Sequence, residues 1–360
     1  MKGGTMSSRA VLLLTALLFI PGLILAGGRS ESPPEEAQQP DTTAEEVMED
    51  AFEPAYLALH RSGELSKRAE ALWKWMEACT LCPRNCGARR LAGAMGFCRS
   101  VGTRLMVASH HAHFGEERPL VGSGGSGTIF FSNCNLRCVF CQNWDISQRG
   151  RGREVSIEDL AGMMLDLQAR GSHNINLVTP THYSAHILKA IDIAAGKGLR
   201  IPIVYNTSGW ERLDVLRMLD GVVDIYLPDM KYANPEMAAK YSADAESYVE
   251  KTKQAILEMH RQVGVAKPAE DGLIYRGLMI RHLVMPANVS GSIEVMRWIA
   301  RELPSDTYIN IMAQYRPQYR AYQFPDISRP ITGDEYRAVV EEAISLGLTQ
   351  LDHRGFRWLR

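Results

Sequence analysis

Six short apolar runs alternate with helical stretches from Thr128 onward, and this alternation constrains the fold more than any other feature. The runs are rich in β-branched and aromatic residues and are bounded by polar or turn residues, which is the pattern of buried parallel strands. They cover residues 128–131, 175–178, 201–205, 222–227, 278–284 and 307–312. Six strand–helix units predict an α/β fold that is a partial (β/α)6 version of the eightfold TIM-like barrel. Functional residues of such a barrel gather at the carboxyl ends of its strands.

Three cysteines, Cys134, Cys138 and Cys141, follow the first of these strands in a C-x3-C-x2-C arrangement. No fourth cysteine lies near enough in the sequence to complete a tetrahedral set. A cubane iron–sulfur cluster held by three thiolates keeps one iron open, and an open metal position is where substrate chemistry takes place. Unrelated buried thiols have no reason to stand at such spacing. The triplet therefore predicts a reactive 4Fe-4S cluster at a strand end.

The other four cysteines, Cys79, Cys82, Cys86 and Cys98, form a C-x2-C-x3-C-x11-C group that we call the knuckle. Four thiolates at this spacing predict a metal site, and the spacing suits either zinc or an auxiliary iron–sulfur cluster. Because four ligands leave no open position, we expect the knuckle to serve structure or electron relay and not catalysis.

The composition is that of an ordinary globular enzyme. The chain has 360 residues, is 46% hydrophobic and 22% charged, and carries a formal net charge of -1. This balance provides no general basic field for nucleic acid, so we expect no nucleic-acid partner. The seven cysteines fall into two ligand-like groups, which argues against a disulfide framework and for a reducing compartment.

The first residues of the chain argue against a reducing compartment. Lys2 and Arg9 precede an apolar run from Ala10 to Ala26, a pattern that predicts a secretory signal or membrane anchor over residues 1–28. Residues 29–51 are rich in Ser, Pro, Glu and Gln and are predicted to be a disordered linker. An alternative is that translation starts at Met48. We favour a cytoplasmic location, with export or anchoring as the alternative if the apolar segment is genuine.

Residues 52–122 are predicted as an N-terminal helical region with the knuckle, and residues 123–360 as the barrel. Helical spacing predicts two helices within 52–76, with a break at Ser62-Gly63. A helical insertion is expected over 235–258, and Ser156-Ile157-Glu158-Asp159 predicts a capped helix start. Residues 110–117, which include three histidines, are predicted as a surface or substrate-facing loop. The glycine-rich run 123–128 is expected to let the backbone approach a cofactor.

Several motifs of the chain resemble the radical S-adenosylmethionine (radical SAM) superfamily. The triplet spacing, with Phe140 directly before the last cysteine, is similar to that of the superfamily. Asn206-Thr207-Ser208-Gly209 resembles the Asp-Thr-Asn-Gly of the enzymes that activate glycyl-radical enzymes, and Asp229-Met230-Lys231 resembles their Asp-Leu-Lys. Within the superfamily, the chain from about residue 52 onward looks like a branch related to the pyruvate formate-lyase activating enzyme.

This resemblance implies an activity and a set of ligands. The cluster would cleave S-adenosylmethionine reductively, and the resulting 5'-deoxyadenosyl radical would abstract hydrogen, with a glycyl-radical enzyme as the favoured substrate. A flavodoxin or ferredoxin would supply the electron. Phe140 would pack near the adenine, Arg281 would help to hold the cofactor, and Asn206, Thr207 and Asp229 would build a monovalent-cation site beside its carboxylate.

Two departures from the activase pattern are visible. Activases end their second strand in Gly-Gly-Glu, whereas this chain continues into Thr179-Pro180-Thr181-His182. Asn206 also replaces an aspartate, which removes one negative charge from the implied cation site. His182 is either an acid or base toward a substrate or a packing histidine.

Three alternatives to an activase remain open. The first is radical modification of a small molecule or peptide by the same chemistry. The second is a non-catalytic iron–sulfur electron carrier that uses both cysteine groups and binds no S-adenosylmethionine. The third is an exported zinc-binding scaffold. Iron and sulfide analysis of anaerobically purified protein would separate the first two from the third.

Overall fold

The computed structural model describes residues 52–353 of the chain. The predicted signal or anchor segment at 1–28 and the predicted linker at 29–51 lie outside the described residues. Among the helices of residues 52–353, none has the length and apolar character needed to cross a membrane.

The described part of the chain alternates strands and helices along most of its length. The strands are β1 Leu105–His113, β2 Ser126–Phe131, β3 Arg153–Val155, β4 Ile175–Val178, β5 Ile203–Thr207, β6 Ile225–Pro228, β7 Gly277–Leu283, β8 Tyr308–Met312 and β9 Leu351–Asp352. The helices are α1 Tyr56–Arg61, α2 Glu64–Lys74, α3 Arg118–Val121, α4 Trp144–Ser147, α5 Ile157–Ala169, α6 Ser184–Gly196, α7 Leu213–Leu219, α8 Pro235–Tyr241, α9 Tyr248–Val263, α10 Ser292–Glu302 and α11 Gly333–Ser345.

All described strands belong to one sheet, in the order β3-β1-β2-β4-β5-β6-β7-β8-β9. Successive neighbours from β2 to β9 are parallel, whereas β1 is antiparallel to both β2 and β3. The six predicted strands are present as β2 and β4 to β8. The parallel series, with a helix in most connections, is the predicted partial barrel, and it brings the carboxyl ends of these strands to one edge.

The sheet begins earlier in the chain than the sequence predicted. His110, His111 and His113 lie in β1 and pair with β2, so the prediction of a loop at these residues was wrong. Histidine is a weak strand former, and three histidines within four residues interrupt the apolar alternation by which a strand is predicted. The strand gives the barrel an antiparallel extension next to β2.

Two hydrophobic cores flank the sheet. The larger core fills the space between the strands and the surrounding helices, and a smaller one consists of Leu120, Val204, Ile225, Leu227, Ala266, Ile274, Met279 and Tyr308. The smaller core alternates along β5 to β8 with residues of the larger core, so it lies on the inner face of the barrel. Leu120 of α3 reaches it from the segment between β1 and β2.

The predicted helix signals are borne out. The two expected N-terminal helices are α1 and α2, and the insertion contains α8 and α9. At the start of α5, the Ser156 hydroxyl accepts from the Asp159 N–H at 2.9 Å, and the Asp159 carboxylate accepts from the Ser156 N–H at 3.0 Å. This reciprocal pair is the capping box that the sequence predicted.

The glycine-rich run serves packing, so its predicted role in approaching a cofactor was wrong. It lies at the leading end of β2, whereas the cysteine triplet follows the other end. A Cβ on Gly127 would lie 2.5 Å from the carbonyl oxygen of Asn174, and one on Gly124 would clash with the carbonyl of Gly171. These glycines let β2 and the segment before β4 pack closely.

Candidate functional site

The cysteine triplet lies in a loop at the carboxyl end of β2, where a parallel barrel places its chemistry. Asn133 and Arg137 have positive φ values of 73° and 57°, so the loop turns sharply around the cysteines. Its centre is fixed on both sides: the Val139 N–H donates to the Tyr241 carbonyl at 2.9 Å, and the Arg320 N–H donates to the Val139 carbonyl at 2.9 Å. The insertion and the C-terminal part of the chain therefore hold this loop in place.

Each thiol of the triplet has a polar neighbour. The Ser242 hydroxyl donates to the Cys138 sulfur at 3.2 Å, the Ser147 hydroxyl lies 3.2 Å from the Cys141 sulfur, and the Leu136 N–H donates to the Cys134 sulfur at 3.4 Å. Burial raises the pKa of all three thiols, that of Cys138 to about 12. The thiols are therefore neutral without metal, and metal binding would release their protons.

The donor set of the triplet fits an iron–sulfur cluster. Cys141 raises the pKa of Cys134 and Cys138, Cys134 raises that of Cys138, and Lys231 lowers the pKa of all three thiols, so the sulfurs lie near one another beside one ammonium group. As the side chains lie, no three Cys, His, Asp or Glu residues within 52–353 are placed to hold a single metal ion. A cubane needs no such convergence, since each thiolate binds a different iron.

A network of charges lies at the carboxyl ends of the neighbouring strands. Arg281 of β7 donates from Nε to Asp229 Oδ1 at 2.8 Å and from Nη2 to Asn206 Oδ1 at 2.6 Å. Lys231 donates from Nζ to Asp229 Oδ2 at 2.6 Å. The structure thus brings together three of the residues that the sequence singled out, from β5, β6 and β7. Because Lys231 also acts on the triplet thiols, this charge network adjoins the cysteine loop.

The pairing keeps these buried groups ionised. Burial acts to raise the pKa of Asp229, but the charges of Arg281 and Lys231 outweigh it and hold that pKa below its usual value. Burial acts to lower the pKa of Lys231, but the charge of Asp229 outweighs burial and raises that pKa above its usual value. The side chains of Asp229, Arg281 and Lys231 keep 14 to 16% of their surface exposed, so the network is open to a ligand.

Glu116 joins the same network from the segment after β1. Its Oε2 accepts from Asn176 at 2.6 Å and from Asn206 at 3.0 Å, and its Oε1 lies 3.6 Å from Arg281 Nη1. The neighbouring Glu117 is buried and accepts from Asn310 of β8 at 2.8 Å. Both carboxylates therefore point into the barrel, although the sequence placed them in a surface or substrate-facing loop.

Thr207 and Phe140 lie elsewhere at this edge. The hydroxyls of Thr207 and Thr181 both donate to one oxygen of Glu211, a fully buried carboxyl that links the ends of β5 and β4. Burial raises the pKa of Glu211 to about 7. No local pattern in the sequence marked Glu211. The Phe140 ring is buried and meets Tyr232 and Tyr315 edge-on, at centroid distances of 6.4 and 6.1 Å.

The structure favours the packing alternative for His182. The side chain is 1% exposed, lies 4.3 Å from the Tyr183 ring between centroids, and places Nε2 2.9 Å from the Ser132 carbonyl. Burial lowers its pKa to about 3, so the ring stays neutral at physiological pH. His182 thereby supports the strand end that leads into the cysteine loop.

The knuckle is folded into tight turns beside this site. Cys79, Cys82 and Cys98 are buried, and Cys86 is exposed. The Gly87 N–H donates to the Cys79 carbonyl at 3.1 Å, which closes the loop that carries the first three cysteines. A Cβ on Gly96 would lie 3.4 Å from the Cys98 sulfur and 3.7 Å from the Cys86 sulfur, so these two sulfurs flank one point. As the side chains lie, these four thiols do not converge on a single metal ion, whereas an iron–sulfur cluster takes each thiolate on a different iron.

Comparison with known proteins identifies a family and a relative of this chain. The family model described as the radical SAM superfamily matches residues 128–266. An uncharacterized protein of Methanocaldococcus jannaschii is 33% identical over 275 residues, which cover 74% of this chain and 74% of the relative.

Two solved structures are similar to part of this chain at low sequence identity. One is Streptococcus suis SuiB bound to the precursor peptide SuiA, with 10% identity and a TM-score of 0.40. The other is native anSMEcpe with bound AdoMet and a Cp18Cys peptide, with 12% identity and a TM-score of 0.43. The matches cover 59% and 64% of this chain, and only 43% and 61% of those two chains.

Proposed function

Because this chain belongs to the radical SAM superfamily, we propose that it cleaves S-adenosylmethionine reductively and uses the resulting radical to abstract hydrogen from a substrate. Membership implies a 4Fe-4S cluster and S-adenosylmethionine as cofactors. The observation that carries the proposal is the position of the cysteine triplet, at the carboxyl end of β2 and beside a partly open network of buried charges. A cluster bound there would supply the electron that breaks the sulfonium bond to give methionine and a 5'-deoxyadenosyl radical.

Cys134, Cys138 and Cys141 would hold the cluster through one thiolate each. The charge network would hold the amino-acid part of S-adenosylmethionine, which carries a carboxylate. Arg281 uses Nε and Nη2 for Asp229 and Asn206, whereas Nη1 makes only a longer ion pair of 3.6 Å with Glu116 and is the donor we assign to that carboxylate. Phe140 would pack against the adenine from its place between two tyrosines.

The implied monovalent cation does not fit this network. Both oxygens of Asp229 already accept from cations of the protein, one from Arg281 and one from Lys231. The Asn206 oxygen also accepts from Arg281. A metal ion at this place would stand next to two positive side chains whose charges Asp229 and Glu116 already balance, and Asn206 adds no negative charge for a further cation. We therefore assign Arg281 and Lys231 the role that a cation would have.

For the substrate, the activase-like motifs favour a glycine of a partner protein, which would make the chain an activating enzyme of a glycyl-radical enzyme. Radical modification of a small molecule or another peptide is the second candidate. A flavodoxin or a ferredoxin would donate the electron. A non-catalytic electron carrier is disfavoured, because such a protein needs no charge network at the strand ends.

The test of the radical chemistry is the substitution Cys138→Ala. Two thiolates are not expected to retain a cubane, so the variant should lose the triplet cluster and form no 5'-deoxyadenosine. Iron, sulfide and 5'-deoxyadenosine are measured on anaerobically prepared protein reduced with dithionite. The matched control is Cys138→Ser, which keeps a weak ligand atom and should retain part of the cluster. If the reduced alanine variant still forms 5'-deoxyadenosine, the triplet is not the catalytic cluster site.

A further inference from the structure

The segment that carries the knuckle, residues 79–104, is strongly basic in a chain whose net charge is -1. It contains five arginines and no aspartate, glutamate or lysine. The arginines are Arg84, Arg89, Arg90, Arg99 and Arg104. A metal centre held by four thiolates is negatively charged, and inward-facing arginines compensate such a charge. Arginines that face outward have a different consequence, since they attract an acidic partner.

Arg84 joins the knuckle to the loop of the cysteine triplet. Its Nε donates to the Asn135 carbonyl at 3.0 Å, and its Nη2 donates to the Ser242 carbonyl at 3.0 Å and the Leu136 carbonyl at 3.4 Å. Asn135 and Leu136 lie between two cysteines of the triplet, and the Ser242 hydroxyl donates to Cys138. Arg84 itself lies between two cysteines of the knuckle. One guanidinium therefore spans the short gap between the two cysteine groups.

Arg90 provides a second connection. It is fully buried and donates from Nη1 to the Cys79 sulfur at 3.7 Å and to the His182 carbonyl at 2.9 Å. His182 in turn meets the Ser132 carbonyl, directly before the triplet loop. A third contact joins the same segments, where Asn133 Nδ2 donates to the Ser100 hydroxyl at 3.1 Å. The two cysteine groups thus share one continuous interface.

The outer face of the knuckle combines an exposed ligand with exposed apolar and basic groups. Cys86 is exposed, unlike the other three knuckle cysteines. Met95 is 63% exposed and Phe97 is 37% exposed, and both flank Gly96, which adjoins the Cys86 sulfur. Of the five arginines, Arg84 and Arg90 face inward and Arg104 is paired with Glu154, whereas Arg89 is exposed. Exposed large apolar side chains together with an exposed positive charge are typical of a transient protein-docking surface.

We propose that the knuckle is the electron-entry site of the enzyme. Its four thiols hold a redox-active iron–sulfur centre, and an acidic electron-transfer protein docks over Cys86 on the face that carries Arg89, Met95 and Phe97. One electron leaves the reduced flavin or iron–sulfur group of that protein, passes through the knuckle beside Arg84, and reaches the triplet cluster for cleavage of the sulfonium bond. No further reactant is needed. The inference rests on the proposed function, since it assigns the source of the electron that this function consumes.

The first test asks what the knuckle binds. The triple variant Cys134→Ala, Cys138→Ala, Cys141→Ala removes every ligand of the catalytic cluster and leaves the knuckle intact. We expect it to retain iron and sulfide and to show the electron paramagnetic resonance signal of a reducible cluster. Adding Cys79→Ser and Cys82→Ser should remove that signal. Zinc in place of iron in the triple variant would overturn the proposal, because zinc carries no electron.

The second test asks where the donor docks, with reduced flavodoxin as the acidic donor and dithionite as the small-molecule reductant. In Arg89→Glu, the ratio of the flavodoxin-driven to the dithionite-driven rate of 5'-deoxyadenosine formation should fall about tenfold. The dissociation constant for flavodoxin should rise by a similar factor and depend less on salt. The matched control is Lys197→Glu, at the exposed end of α6 farthest from the triplet loop, which should leave both quantities unchanged.

The outcomes separate the two levels of the proposal. An unchanged ratio and affinity in Arg89→Glu would overturn the docking surface. An equal loss in Lys197→Glu would also overturn it, since attraction would then not be local to the knuckle. Absence of 5'-deoxyadenosine from the wild-type protein with dithionite would instead contradict the proposed radical chemistry, because dithionite requires no docking site.

Discussion

Asp229 accepts from two cations, Arg281 on one oxygen and Lys231 on the other. The three groups are largely buried, and each stabilises the charged state of its neighbours against the cost of desolvation. Such a network adds little to the stability of a fold, because pairing mainly offsets the free-energy cost of lost hydration. Its main effect is to fix the orientation of the paired side chains. The proposed function depends on this orientation, because Arg281 and Lys231 would meet the carboxylate of S-adenosylmethionine.

The residue-scale prediction concerns Arg281 and Asp229. Under the proposed function, replacing Arg281 by alanine removes a donor to the carboxylate of S-adenosylmethionine, and Asp229→Ala releases Arg281 and Lys231 from their positions. A charge-assisted contact contributes about 1.5 to 3 kcal/mol, so either change should raise the dissociation constant of S-adenosylmethionine roughly tenfold to a hundredfold. Titration calorimetry on cluster-loaded protein measures this dissociation constant.

Neither residue is a cluster ligand, so iron and sulfide should remain at wild-type levels in both variants. Arg281→Lys keeps the charge but loses the fork geometry and should fall between wild type and alanine. Unchanged affinity in both alanine variants would contradict the role of the charge network and leave only the cysteine triplet as evidence for the cofactor site.

At the scale of elements, Glu211 connects two strand ends from a buried position. It accepts from Thr181 after β4 and from Thr207 of β5, and its second oxygen is buried with no hydrogen-bond partner among the described residues. Burial raises its pKa from 4.5 to about 7. The folded state therefore binds this proton more tightly than the unfolded state, and its contribution to stability is lost as the pH rises from about 4.5 through 7.

We expect Glu211→Gln to remove this pH dependence. The amide keeps the acceptor oxygen for both threonines and does not ionise. Between pH 5 and pH 8 the wild type should lose about 2.5 kcal/mol of unfolding free energy relative to the variant, which should be the more stable protein at pH 8. Urea unfolding at the two pH values is the measurement. The exposed Glu341→Gln serves as control, and a parallel shift in both variants would show that Glu211 is not the cause.

The elements themselves were largely predictable from local pattern. Continuous apolar runs are typical of parallel strands, so β2 and β4 to β8 followed from the sequence, as did the capping box of α5. Strand β1 did not, because its apolar alternation is interrupted by histidines. The contacts of Glu116, Glu211 and Arg84 could not be predicted either, since each joins residues far apart in the chain. Strand order brings the carboxyl ends together, and this is why the motif residues Asn206, Asp229 and Arg281 could be grouped in advance.

At the scale of the whole molecule, the N-terminal helices are part of the barrel unit, which begins at Phe52. The Ala55 N–H donates to the buried Asp224 at 2.9 Å, and the Tyr56 hydroxyl donates to the Ile201 carbonyl at 3.1 Å. Both partners lie next to β5 or β6, at the leading ends of these strands. Helix α1 thus closes the end of the barrel opposite the cysteine loop.

This arrangement predicts how the chain responds to shortening. A variant that starts at Met48 retains the whole unit from Phe52 and should match the full chain in melting temperature and in iron content. A variant that starts at Glu64 loses α1 with the buried Tyr56 and leaves Asp224 without one of its donors. Removing a buried aromatic side chain costs about 3 to 5 kcal/mol, so the second variant should melt at least about 5 °C lower. Calorimetric melting of the three anaerobic proteins decides the matter: a loss at Met48 as large as that at Glu64 would mean that residues before 48 belong to the folded unit.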